Sequence, residues 1–449
     1  MRRLGFGRTA RRNFQAGTFL LAFVGLLTHA NEGVAFQRAD GEEVTYAKDV
    51  ALILQENCQV CHQSGSIGPM SLMTYEEVRP WAPLIRERVL SQDMPPYQYD
   101  TDVGIQDLKY DPRLDEEDIR TIVAWVDRGA PMGDLADLPP PREWPDPADF
   151  RLAERFGTPD VVVRSEPYDV PAVGQDRWWQ PTVASGVETD RCIKAIETKP
   201  SVTGQASTHH ANSTLRVPGG SLFGTRLSEY AMGKIGEIIP EGACRTLPAN
   251  AQVSWDIHYF PNGAPSAGDQ VEIGIWFYPE DYQGAYRQTL TLYFLNGGTG
   301  GRGYDIPPGG TLMTQGFQSF STPVRIDSWQ PHGHTRLVAM SLQILRATGR
   351  MEMVSMVSNW SAFWHHSHIY GDDSAPLLRP GDQLVLTGWY DNSTNNRYNP
   401  DPDQWVSIGD RTADEMSHAW VAVTHLDQEG HDRIAAERQE KGLASDADR

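Results

Sequence analysis

Apolar positions recur three and four residues apart through residues 46–135, then alternate with polar ones from about residue 156 onward. In the first region "YAKDVALILQENC" places Val50, Ile53 and Leu54 on one helical face. "YEEVRPWAPLIRERVLSQ" continues the pattern, with Pro80 and Pro83 predicting an interrupted first few turns. "LDEEDIRTIVAWVDRGAP" predicts a helix capped by Asp115, with Ile119, Ile122, Val123 and Val126 along one face and Gly129 and Pro131 as its stop. "LPPPREWPDP" marks a proline-rich linker over residues 137–155.

Beyond the linker, "PDVVVRSEPYDV", "VEIGIWFYP", "RQTLTLYFL", "TRLVAMSLQIL" and "QLVLTGWYD" alternate between turns rich in Gly, Pro and Asn. Many short strands without intervening helices predict antiparallel β-sandwiches. The length suffices for two, at 156–290 and 291–430, with 431–449 as a frayed tail. The fold class expected is therefore an all-α domain over 40–136 followed by two β-sandwich domains.

Residues 1–30 differ from the rest. Five arginines, Arg2, Arg3, Arg8, Arg11 and Arg12, precede the apolar run Ala16 to Leu27, and "THA" ends at Ala30. That is the form of a signal peptide, and the run is short of the roughly 20 residues a membrane span needs. The reading is export to a periplasm or secretion, with no membrane span after cleavage. The whole chain carries a formal charge of −20, and loss of the five leader arginines takes it to −25. Such acidity argues against nucleic acid as a partner. Of the four cysteines, Cys192 and Cys244 are widely separated, and an oxidising compartment makes a disulfide between them the expectation.

Cys58 and Cys61 belong to "ENCQVCHQSG". Two thiols three positions apart with His62 adjacent can hold a covalent c-type haem, the histidine serving as axial ligand. A thioredoxin-type pair or half of a zinc site fits poorly, because the segment reads as helical and no second cysteine pair follows. Met94, in "DMPPY", is the expected second axial ligand; Met70 and Met73 read as core. A Met/His pair suits electron transfer.

The β-rich part carries histidines in order: His209 and His210 in "STHHANST", His258 in "DIHYFPNG", and His332 and His334 in "QPHGHTRL". In a strand, His332 and His334 share a face roughly 6–7 Å apart at Cα, close enough to reach one ion. Adjacent His209 and His210 would face opposite ways unless a bulge or strand end intervenes. Gly333 stands where a bulkier residue is expected and predicts a looser strand. "FWHHSHIYGDD" adds His365, His366 and His368, read as a surface loop, with a substrate contact or extra metal site as the sharper reading.

The order of these phrases, with "YAKDVALILQENCQVCH", "RPWAPLI", "MPPY", "YDNSTNNRYNPDP" and "GDRTADEM", resembles the copper type II, ascorbate-dependent monooxygenases, the family of peptidylglycine alpha-hydroxylating and dopamine beta-monooxygenases. It is similar to bacterial forms with a fused N-terminal cytochrome c domain. The resemblance implies jelly-roll-like sandwiches, each with one copper, facing each other across an open cleft. It implies that His209, His210 and His258 hold an electron-transfer copper, and that His332, His334 and Met416 hold the copper that meets dioxygen. Imidazoles suit both copper states, and a thioether favours Cu(I).

The expected activity is hydroxylation of a C–H bond in a small organic or peptide substrate with dioxygen. The fused haem, ascorbate or a redox protein would supply the electrons. Trp255, Tyr259, Trp329, Trp360 and Trp364 suggest an apolar substrate or, alternatively, sandwich core. The rival readings are a haem and copper electron carrier without oxygenase activity, and a zinc hydrolase, which Met416 argues against.

Overall fold

In a computed structural model, residues 43–443 are described, apart from Gly65, Pro147, Pro218, 221–223 and 296–303. The leader lies outside the described residues. Helical segments occupy the first part: Tyr46–Val50, Ala51–Asn57, Tyr75–Val78, Arg79–Trp81, Ala82–Leu90 and Glu116–Asp127. Local chemistry sets their ends. Thr74 and Glu77 form a reciprocal capping box, and Asp115 accepts from the Asp118 amide. Pro80 and Pro83 each fall at the first positions of a new turn, where a missing N–H costs nothing, so the chain stays helical through 90 with one 3₁₀ turn. Val50, Leu54, Val78, Ile122 and Trp125 form the core of this region. Ile122 and Trp125 are the fully buried members of the last helix; Ile119, Val123 and Val126 pack at its edge.

A separate all-α domain is not evident. The extended loop after Ala82–Leu90 lies along the β body. Asp100 N donates to Met356 O at 2.9 Å, Ile105 N to Val354 O at 2.9 Å, and strand Leu108–Lys109 pairs with His368–Tyr370. A short edge strand leaves backbone groups in need of partners, and this loop supplies them. From Val44 the chain forms one unit.

The β body is sandwich-like, with two cores but one shared sheet. Its longest sheet runs 161–164, 272–277, 191–199, 243–247, 286–294, 418–425, 324–332, 368–370 and 108–109 in spatial order. Ala243–Leu247 and Tyr286–Phe294 pair in parallel, joining the two halves into a continuous sheet where two separate antiparallel sandwiches were expected. One half packs on the sheet built from 177–179, 252–259, 208–216 and 225–231 around Ile193, Val253, Trp255 and Ile273. The other packs on 311–319, 383–391, 337–345 and 351–357 around Trp329, Met340, Leu386 and Val421. Trp255, Tyr259, Trp329 and Trp360 are therefore core residues.

Cys192 and Cys244 are disulfide-bonded across neighbouring strands, closing a separation of 52 residues. Replacing both with serine is expected to lower unfolding free energy by about 2–4 kcal/mol, read from urea midpoints, because the unfolded chain regains the freedom of that loop. The segment read as a frayed tail is helical as Gln428–Glu440, capped by Asp427 and tied down by Arg438, which donates to Ala375 O at 2.8 Å. Its polar sequence hid this, since buried His431 and Arg438, and not an apolar stripe, anchor it. Among the described residues no helix is long and apolar enough to cross a membrane.

Candidate metal and haem sites

His258 pairs directly with His210 across neighbouring strands. The register slips at the next step, so that Tyr259 faces Thr208 and His209 is the extra residue of a β-bulge. The bulge turns adjacent histidines to one side. His258 Nδ1 lies 3.3 Å from His210 Nε2, and the ring centroids of the three histidines are 5.0–5.4 Å apart. One nitrogen from each falls within 4.8 Å of the others. The Asp176 carboxylate sits 3.1 Å from His258 Nε2, off the line of a hydrogen bond but close enough that its charge favours a proton there, leaving Nδ1 turned inward. Trp178 stacks on the His258 ring at 4.4 Å. The Nδ1 atoms of His209 and His210 are buried without a hydrogen-bond partner. A buried, unpartnered imidazole nitrogen is costly, and a metal relieves that cost, so the set fits an ion.

His332 ends its strand and His334 lies in the turn beyond, so the two do not share a strand face. Their rings still approach to 5.6 Å. Gly333 is needed there because a Cβ would lie 2.6 Å from Leu337 Cδ2; the strand end is tight where looseness was expected. His334 Nδ1 is 3.2 Å from Asp414 O, and since a carbonyl only accepts, the proton sits on Nδ1 and Nε2 is bare for a metal. Glu415, fully buried, accepts from the backbone N–H groups of His334, Arg336, Leu337 and Met416. It thereby binds the His334 turn to the Met416 turn. Tyr304 and Tyr390 donate to Met416 O, fixing that backbone from the other side.

The two expected sets do not face each other across an open cleft. His210 and His332 have ring centroids 6.4 Å apart, and His209 lies 6.1 Å from His365. Two further histidines complete the cluster. His418 stacks on His332 at 4.4 Å, and His365 Nδ1 is 3.1 Å from His332 Nδ1. Glu229, His332 and His365 bring ligand atoms within 4.8 Å of one another. Burial, reinforced by neighbouring histidines, lowers His209 to about 4 and His418 to about 3, and holds His210 and His332 well below the ordinary range. These rings are neutral near pH 7, the form that ligates.

The surface-loop reading of His365, His366 and His368 is overturned: they are 3%, 7% and 1% exposed. The sequence offered a signal, three histidines in four residues among aromatics, but only tertiary packing showed where they point. His418 lies two residues after Met416, and its pairing with His332 was invisible in one dimension.

A cavity of about 1440 Å³ is lined by Cys58, Cys61, His62, Met94 and Met70 on the helical side, and by Met232, Trp364 and His366 on the β side. Cys58 and Cys61 are unbonded thiols. Burial, with Cys61 and Asp118 nearby, pushes the Cys58 thiol up to about 12. The motif sits in one helical turn past the helix end, with His62 N donating to Cys58 O at 3.0 Å, and Gln59 pins it by donating to Leu72 O at 2.9 Å. His62 Nδ1 is 3.1 Å from Met70 O, so its Nε2 is bare. Gly68 permits this, since a Cβ there would lie 2.7 Å from His62 Nδ1. Paired thiols, a bare imidazole nitrogen and a thioether on one apolar cavity fit a c-type haem.

No family model and no curated protein matches this chain. Among solved structures, the major capsid protein P2 of bacteriophage PM2 aligns at 9% identity and a TM-score of 0.23, covering 59% of this chain and 97% of that one. The peptide:N-glycanase F structure aligns at 11% identity and a TM-score of 0.28, covering 60% and 96%. These likenesses are too remote to carry an argument about function.

Proposed function

We propose that the chain is an exported copper-dependent monooxygenase that hydroxylates a C–H bond of a small organic or peptide substrate. The balanced reaction takes substrate, dioxygen, two electrons and two protons to the alcohol and water, with a covalent c-type haem relaying the electrons one at a time from an external reductant, ascorbate or a redox protein. One observation supports this most: a single unit places a Cys-x-x-Cys-His cavity beside a cluster of neutral, buried histidines.

His209, His210 and His258 would hold one copper. His332, His334 and Met416 would hold the other. Bound there, copper supplies one-electron chemistry and a place for dioxygen. Cys58, Cys61, His62 and Met94 would hold the haem, which would pass electrons on one at a time. The chain's own contribution is orientation. Asp176 and Asp414 O set which nitrogen of His258 and His334 is bare, and Glu415 holds the His334 and Met416 turns together. Burial of the cluster excludes water.

That same burial favours a second reading, a haem and copper electron carrier without oxygenase activity. His332 and His334 are 4% and 5% exposed, leaving little open approach for a substrate.

The test is metal content and spectra of the exported protein. The oxygenase reading expects haem, copper in excess of haem, and loss of part of the copper in His332→Ala and Met416→Ala, followed by dioxygen uptake with candidate C–H substrates. Haem without copper, even after incubation with Cu(I), sinks it. Copper and haem without dioxygen uptake leaves the carrier.

A further inference from the structure

The segment Trp364–His366 separates the haem-type cavity from the histidine cluster and touches both. Trp364 and His366 line the cavity wall, their rings 6.0 Å apart and nearly parallel. His366 also packs against Tyr97, itself a cavity residue, at 5.4 Å, and its buried Nδ1 has no hydrogen-bond partner. Its peptide neighbour His365 turns the other way. The His365 amide donates to the carbonyl of cavity-lining Met232 at 2.9 Å, fixing the backbone.

His365 Nε2 is 3.2 Å from Ala362 O, so the proton sits on Nε2 and Nδ1 is bare. That bare nitrogen faces His332 Nδ1 at 3.1 Å. Two nitrogens bound to one ion at about 2.0 Å each, with bond angles between square and tetrahedral, stand roughly 2.8–3.3 Å apart. The observed separation falls inside that range.

We propose that His365 is a further ligand of the metal held by His332, and that the His366 ring, with the peptide that joins it to His365, is the route by which an electron passes from a haem in the cavity to that metal. In each transfer a ferrous haem loses one electron and a cupric ion gains it. From the His366 ring through the two side-chain stems and their shared peptide to the His365 ring, the path is covalent throughout and contains no jump through space. The proposal rests on the function proposed above.

The experiment uses the full-length protein carrying haem and copper. The haem is reduced photochemically without dioxygen, and its reoxidation by bound Cu(II) is followed by absorbance and by loss of the Cu(II) EPR signal. His365→Gln is expected to change the nitrogen hyperfine pattern and weaken copper binding. His366→Leu is expected to keep the wild-type EPR spectrum and haem absorbance but slow reoxidation by about tenfold, the size typical for a group one shell from a metal. Wild-type EPR and copper affinity in His365→Gln, or a wild-type transfer rate in His366→Leu, overturns the proposal while leaving the oxygenase reading intact. A wild-type protein that takes up no copper or no haem overturns both.

Discussion

Glu415→Ala is expected to destabilise the fold by on the order of 5 kcal/mol and to abolish metal binding by His334 and Met416 together. Its carboxylate is the acceptor for four backbone N–H groups, on His334, Arg336, Leu337 and Met416. Removing it leaves those donors buried without partners, each costing about 1–3 kcal/mol with partial relief from relaxation. It also removes a negative charge beside Arg336, whose buried guanidinium then keeps hydrogen bonds to neutral oxygens alone: Asn392 Oδ1, Thr335 Oγ1 and the carbonyls of Ala413 and Asp401. Glu415→Gln, which keeps the shape but turns an NH₂ toward amide donors, is expected to fall between alanine and wild type. Urea unfolding of the three proteins, with copper content alongside, checks this; a change below about 1 kcal/mol in the alanine variant would falsify the clamp.

The metal-free protein is expected to lose stability steeply as pH falls from about 6.5 toward 4. His209 and His366 are lowered to about 4, and His365 and His418 to about 3, by burial first of all; near His209, His365 and His418 neighbouring histidines add to it. In the unfolded chain these groups titrate near 6.5. Below that pH the unfolded state binds protons that the native state refuses, so stability falls as pH falls, by roughly 1 kcal/mol per pH unit for each fully buried group. Their contribution is fully present above 6.5. With at least four such rings the slope is that of several protons, far steeper than surface groups produce. Urea midpoints of the apo protein between pH 7.5 and 4.5 test it, and a flat profile down to pH 5 sinks the claim that the cluster is buried and neutral. On the proposed function, bound copper would add to the acid sensitivity, since ligands that must take up protons release their metal.

Periodicity separated the helical region before the linker from the β region after it, but missed the polar helix Gln428–Glu440. The spacing of Val50, Ile53 and Leu54, the Asp115 cap and the alternating runs after residue 156 are local patterns, and local sterics and burial enforce them. The residue types of both sites were legible for the same reason: Cys58, Cys61 and His62 are neighbours, and His209 and His210 are adjacent. Even the need for a bulge could be stated, because two adjacent side chains on a regular strand cannot share a face.

What the chain's order could not disclose is decided by contacts between distant segments. The parallel pairing of Ala243–Leu247 with Tyr286–Phe294 merges two expected sandwiches along one sheet, and no pattern within either strand encodes its partner. The docking of Leu108–Lys109 on His368–Tyr370 depends on an unfilled strand edge elsewhere. His365, His366 and His418 gain their meaning only when the fold sets them against His332 and the cavity. A histidine's chemistry is fixed by its burial and by the atoms facing its two nitrogens, and those come from residues far away in sequence.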